Sequence, residues 1–504
     1  MLAPDYLDHA PDRLVLLFQQ VEDDILRDVA RRISKMETLT PTANWQLWRY
    51  QQTEAVRQDV IKKLARYTGK SEAAIRQLMQ EAATRALEAE DQIYYHYNLE
   101  PTPFAENETL QALLNAGYQQ TAGTFSNLTA TTANTVSGQF EAALDRAHLK
   151  VSSGAFDYKS AIKSAVDSLA DTMKYVTYPT GHQDTLEVAA RRAVLTGVNQ
   201  TAGKLQVARA DEMGVTFFAT TAHGGARPSH AEWQGKTYHR GGAVDYLGKH
   251  YEDFESATGY GTGAGLCGWN CRHTFFAVFP ELGAPPAWTQ ESLDALNARD
   301  IEYDGKKYTQ YEINQMQRAR ERTVRKYKRR YLAEDAAGAD TTQSAVKLRA
   351  ARAELADFTA RTGGRVDSAR TMVSGFGRSQ SSKATWAAKK QERLDAVNND
   401  LTELRQSGKI RMTGAAVVPP ILPNTLNFEG HSLEQMAKRQ ISLAQANEIA
   451  EHAILAISQR NGTQHSYYSD KGFIVIKQDG SIGTVGWLDD GGKQIVEVMK
   501  KHGF

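Results

Sequence analysis

Cysteine is nearly absent. Two in 504 residues leave no material for a disulfide-stapled secreted scaffold. No apolar run of about 18 residues occurs, so nothing reads as a bilayer-spanning helix or membrane anchor. Neither charge sign dominates: 60 Lys and Arg stand against 59 Asp and Glu, a net charge of +1. This balance excludes a globally basic nucleic-acid coat and an acidic solvating tail, and it leaves electrostatics to local patches. The opening MLAPDYLDHAPDRLVLLFQQ has acids where a signal peptide carries bases, and no cleavage site follows its apolar run. Synthesis in a reducing cytoplasm is expected.

With 41% hydrophobic and 24% charged residues, the composition is that of packed globular domains. The length predicts about three or four folding units. Phe18, Val21, Ile25, Val29, Ile33 and Met36 recur at helical spacing, and Pro41 ends that stripe. Trp45 through Leu64 begin a second stripe. Gly69 suits a C-cap and Ser71 an N-cap, which places a third helix from Glu72. Residues 1–118 thus form a helical docking region or bundle. Residues 119–138 are rich in Thr, Ser, Asn, Gln and Gly and read as a polar connector. Helices resume within 119–213. From 214 to about 300 glycine, histidine and aromatics replace the helical period, which predicts a small mixed α/β core. Residues 301–390 form a basic helical region interrupted at Ser374–Trp386. Residues 391–423, with Pro419, Pro420 and Pro423, read as a linker. Residues 424–504 read as a compact α+β end domain, with helices around Leu433–Ile441 and Ala446–Ile457. Its strands fall at Tyr467-Tyr468, Phe473–Ile476 and Ile482–Val485. The fold class is α+β, multidomain.

Five groups of residues are candidates to carry chemistry. Cys267, Cys271 and His273, with His230 or His223 added, have ligand types that suit zinc. The C-x3-C spacing equally suits a packed structural loop, and that reading is preferred, with no cofactor required. Arg227, Ser229, His230 and Glu232 are too close in sequence for a catalytic triad and read as a hydrogen-bonded core around Trp233. The run GTGAG (Gly261–Gly265) lacks phosphate-loop context and reads as a tight turn. Lys306–Arg330 carries ten Lys and Arg against two Glu. Its Arg318, Arg322, Arg325, Lys326 and Arg329 either neutralise DNA phosphates or form a solvated or docked face. In the end domain, His465 or His431 is the candidate acid/base of a metal-independent active site. Lys438 and Arg439 form the candidate phosphate clamp, and Tyr468 and Thr484 position substrate. The alternative is an inert or protein-binding domain.

HGGARPSHAEWQGKTY (His223–Tyr238) and GYGTGAGLCGWNCRHTFFAVFPELG (Gly259–Gly283) resemble the tailed-phage minor capsid protein 2 family. VSSGAFDYKSAI (Val151–Ile162), YPTGHQDTLEVAARRAVLTGV (Tyr178–Val198) and SGFGRSQSSKA (Ser374–Ala384) fit the same pattern, so the resemblance covers roughly residues 5–390. It implies a low-copy virion protein inside a phage or prophage head, near the portal. Portal and capsid proteins would be its partners, and it would enter the host with the DNA. GHSLEQMAKRQIS (Gly430–Ser442) and YYSDKGFIVIKQDGSIGTV (Tyr467–Val485) resemble the small RNase toxins of the barnase–EndoU–colicin–RelE class. That second resemblance implies host RNA as substrate and an immunity protein as a further partner.

Overall fold

The computed structural model describes all residues except 37–41, 154–156, 179, 284, 421 and 423–425, and the side chains of 42, 43, 68, 129 and 130. Pro41 and Pro423, expected to stop a helix and to mark a linker, lie outside the described residues. The architecture is multidomain α+β. The chain forms two compact units, Met1–Ser381 and Ser382–Phe504.

The first unit begins with helices α1 (Pro4–His9), α2 (Asp12–Ser34), α3 (Thr42–His96), α4 (Glu108–Ser152), α5 (Tyr158–Thr172) and α6 (Leu186–Met213). A two-residue hairpin, β1 (Val176–Thr177) with β2 (Gln183–Asp184), joins α5 to α6. One apolar core unites these helices. The expected stripe on α2 is buried there from Phe18 to Ile33. Two expectations are corrected. Gly69 and Ser71 bound no helix; both lie inside α3. A helix-interior glycine costs only about 1 kcal/mol, and buried Val60, Leu64, Ile75 and Met79 carry the apolar stripe across it. Residues 119–138 are no connector; α4 runs through them. Their hydroxyls bond back to the preceding turn, as Thr121 does to the Gly117 carbonyl at 2.9 Å. Phe125, Leu128 and Val136 stay buried.

Small residues in α4 also let α6 come close. A Cβ on Gly197 would stand 2.2 Å from Thr121 Oγ1, and one on Gly117 would stand 2.1 Å from Thr201 Oγ1.

Strands β3 (Phe217–Thr220), β4 (Thr237–His239) and β7 (Phe275–Ala277) form an antiparallel sheet in the order β4-β3-β7. Between them come α7 (Pro228–Ala231), the hairpin β5 (Val244–Tyr246) and β6 (Lys249–Tyr251), and α8 (Phe254–Thr258). The Gly- and His-rich segment is therefore mixed α/β. It is not self-contained, because Tyr94 of α3 and Ala210 of α6 belong to its core. After α9 (Gln290–Leu296), the hairpin β8 (Arg299–Tyr303) and β9 (Lys306–Thr309) leads into α10 (Gln310–Ala336). The basic helix thus starts at Gln310, because Thr309 and Glu312 make a capping box. Helices α11 (Thr342–Thr362) and α12 (Ser368–Thr371) complete the unit.

Arg329 of α10 is driven into the helical core. Its Nη2 donates to Glu22 at 2.7 Å and its Nε to Asp23 at 2.8 Å. Arg325 donates to Glu187 of α6 at 2.7 Å, and Gln19 of α2 donates to the same carboxylate. Three buried carboxylates thus face two guanidiniums. Burial pushes Glu22 up to about 7 against the pull of Arg329. The native state keeps a proton there that the unfolded chain has released. Glu22 therefore subtracts stability as pH rises from its ordinary value through about 7.

The second unit holds strands β10 (Ala415–Val417), β11 (Leu455–Gln459), β12 (Gln464–Tyr468), β13 (Gly472–Lys477) and β14 (Ile482–Trp487), antiparallel in chain order. Helices α14 (His431–Arg439) and α15 (Leu443–Glu451) cover one face through Met436 and Ile449. On the other face, α13 (Arg378–Gln406) and α16 (Asp490–Lys501) pack Leu394, Val397, Leu401, Ile495 and Met499 against Leu455, Ile457 and Tyr468. Residues 391–406, expected to be linker, are thus a core helix of this unit, and Leu455–Ile457 is strand rather than helix.

Gly197→Ala overfills the α4–α6 contact and costs about 1–3 kcal/mol in chemical denaturation; an unchanged midpoint would refute the contact. Arg329→Met strands the facing carboxylates and lowers unfolding free energy by about 3–5 kcal/mol. A loss below 1 kcal/mol would show that the cluster is not buried.

Candidate functional site

The first unit brings its sequence-predicted ligands together where β3, α7, α6 and the glycine-rich loop meet. Pro228 opens α7 at its first turn and places His230 inward, 2% exposed. The loop from Gly259 to His273 is tight. A Cβ on Gly265 would lie 2.0 Å from the Gly259 carbonyl oxygen, in accord with the turn reading of GTGAG. Asn199, on α6, donates through one amide nitrogen to the carbonyls of Cys271 and His273, both at 3.0 Å. That fork fixes the end of the loop.

His230, Cys271 and His273 are all buried, and their ligand atoms lie within 4.8 Å of one another. His230 Nδ1 and His273 Nδ1 are 3.4 Å apart, and Cys271 Sγ is 3.7 Å from each. The far side of each ring is hydrogen-bonded. His230 Nε2 faces the Ala264 carbonyl at 2.9 Å, and His273 Nε2 faces Gln234 Oε1 at 3.0 Å. Burial holds His273 well below the usual imidazole range and takes His230 down to about 4. Burial likewise raises the Cys271 thiol. Both cysteines are free thiols. Cys267 lies outside the three-atom group, its Sγ 3.8 Å from the His273 carbonyl. His223 also lies outside it. Its ring stacks on His273 with centroids 4.2 Å apart, and its Nδ1 meets the Gly224 carbonyl at 3.0 Å. His223 Nε2 is buried with no hydrogen-bond partner. No triad forms in the Arg227–Glu232 segment, where Ser229 and Glu232 are exposed while His230 points inward against Trp233.

The three ligand residues line a cleft of about 620 Å³ together with Arg191, Arg227, Arg272, Arg318 and a single acid, Asp8. Burial and the neighbouring guanidiniums bring Arg318 down to about 10.

Of the five α10 residues read as facing DNA, Arg325 and Arg329 are turned inward. Arg325 and Arg329 are consumed by the buried carboxylates, and Lys326 pairs with Asp171 at 3.2 Å. Arg318 is half-buried in the cleft, while Arg322 and Lys326 are exposed. The physical reason is charge complementarity with α2, α5 and α6, which composition alone does not reveal.

The six candidate catalytic residues of the second unit are dispersed. His431 and Lys438 are exposed on α14, which does hold both. Arg439 donates to Thr484 Oγ1 at 3.2 Å and to the Val485 carbonyl, and so covers the edge of β14. His465 lies half-buried on the same strand face as Tyr467, and burial lowers its affinity for a proton. Tyr468 points to the opposite face and is 2% exposed. Only Arg439 and Thr484 are joined by a hydrogen bond among the described residues.

Asn199 and Gln234 escaped sequence reasoning. The one available signal was a polar residue at an apolar position, as Asn199 interrupts Leu195, Val198 and Ala202 on α6. Asn199→Ala frees two buried carbonyls and costs about 1–3 kcal/mol; hydrogen exchange should rise selectively in residues 266–274. Unchanged exchange there would remove Asn199 from this role.

Comparison with curated proteins and with solved structures returns no match. A family model described as phage minor capsid protein 2 matches residues 2–360. That span includes the helical core, the histidine–cysteine cluster and α10, and it ends before the second unit begins. No helix among the described residues is long and apolar enough to cross a membrane. With more than two thirds of its length matched, the chain belongs to the phage minor capsid protein 2 family, structural proteins of the phage head.

Proposed function

We propose that the first unit anchors this protein inside the virion head beside the portal, with portal and capsid proteins as its partners, and that the second unit is a separately folded module it carries. One observation supports the division of labour: the family match stops at residue 360, and the next compact unit starts at 382 with a sheet and two cores of its own. A head protein needs adhesive surface rather than chemistry, and long helices supply it. Ejection with the DNA would deliver the second unit into the host.

The second reading gives that unit an RNase-type activity on host RNA. His465 supports it: the imidazole is half-buried on the sheet, where burial lowers its affinity for a proton, and it is the candidate general base. The exposed His431 and Lys438 would then act from α14, and Arg439 would hold the strand edge rather than a phosphate.

Mass spectrometry of purified particles should find the chain at low copy, and a chain ended at residue 381 should be incorporated equally well. Absence of the full chain from particles removes the anchoring role. Residues 378–504 expressed alone, retaining α13, test the second reading. RNA cleavage abolished by His465→Ala supports it, and intact RNA leaves a binding module.

A further inference from the structure

We propose that His230, Cys271 and His273 bind one zinc ion, with a fourth coordination position open to the arginine-lined cleft.

The hydrogen bonds fix the chemistry of each ligand. A carbonyl only accepts, so the Ala264 oxygen requires a hydrogen on His230 Nε2. Gln234 Oε1 also receives the backbone N–H of His223 at 3.1 Å, and Gln234 Nε2 donates to Asn297. The atom facing His273 is therefore the oxygen, and His273 Nε2 must carry a hydrogen too. A neutral imidazole has one N–H, so both Nδ1 atoms are bare. Two bare lone pairs thus face each other across 3.4 Å in a buried site. Without a shared cation this contact is repulsive, and the one Cys271 S–H can satisfy only one of the two.

The distances match a tetrahedron. Zinc–nitrogen bonds near 2.0–2.1 Å and a zinc–sulfur bond near 2.3 Å imply edges of about 3.3 Å for N···N and about 3.6 Å for N···S. The observed edges are 3.4 Å and 3.7 Å. Imidazole and thiolate are the donor types that favour this ion. Ala264 and Gln234 are then the outer partners that orient the ligands. Three protein ligands leave one position for water or an anion. Arg191, Arg227, Arg272 and Arg318 around the cleft favour an anionic occupant.

The test uses the full chain, loaded with equimolar zinc and desalted. About one zinc per chain is expected by elemental analysis. Cys271→Ser should lose most of it, while Cys267→Ser keeps it. Cobalt loading of the unmutated chain decides the matter if Cys271→Ser fails to fold. One thiolate-to-cobalt charge-transfer band with tetrahedral visible bands supports the site. A folded chain that retains no zinc overturns the proposal. So does zinc held equally by folded Cys271→Ser, or a cobalt spectrum without thiolate character.

Discussion

The first unit depends on placing a charged helix against a charged core without leaving a charge alone. Arg329 enters an interior otherwise built from leucine, valine and phenylalanine, and it is tolerable there only because Glu22, Asp23 and Glu187 arrive from α2 and α6. Each partner alone would be a severe penalty; together they fix the register of three helices at once. A purely apolar contact would allow α10 to slide along α2. A fork of hydrogen bonds to named oxygens does not.

That registry sets up the cleft. With Arg325 and Arg329 turned inward, Arg318, seven residues nearer the start of α10 than Arg325, is left in the cleft with Arg191 and Arg272 and with only Asp8 for opposite charge. The histidine–cysteine cluster sits against the same cleft, held by Asn199 from α6. Helical packing and site geometry therefore share α6 and α10, and this explains why the glycine-rich segment is not an independent knob. Its core borrows Tyr94 and Ala210 from the long helices.

The second unit follows a simpler rule. A five-stranded meander has two faces, and each needs a helical layer. Helices α14 and α15 follow the sequence reading in supplying one layer. The other comes from α16 and from α13, whose residues 391–406 read as linker when taken alone. Its buried positions, Leu394, Val397 and Leu401, are few among Lys, Glu, Asp and Asn. A narrow apolar stripe is legible only once there is a sheet for it to meet. The same alternation separates His465 from Tyr468, so neighbours in a strand that look like one site in sequence point to opposite sides.

By itself the sequence determined the local periodicities: the α2 stripe, the strands at Tyr467–Val485, the hairpin turns between them, and the ligand types gathered at Cys267–His273. These depend on contacts within a few residues, where composition and spacing suffice. Tertiary structure alone decided that Thr- and Gly-rich residues 119–138 would be helix, because only α6 at close approach makes small side chains an advantage. It alone decided which of two cysteines joins His230 and His273, and whether a basic helix faces solvent or buried acids. Those outcomes are set by partners 41 to 307 residues away, whose charges and shapes have no signature in the local string.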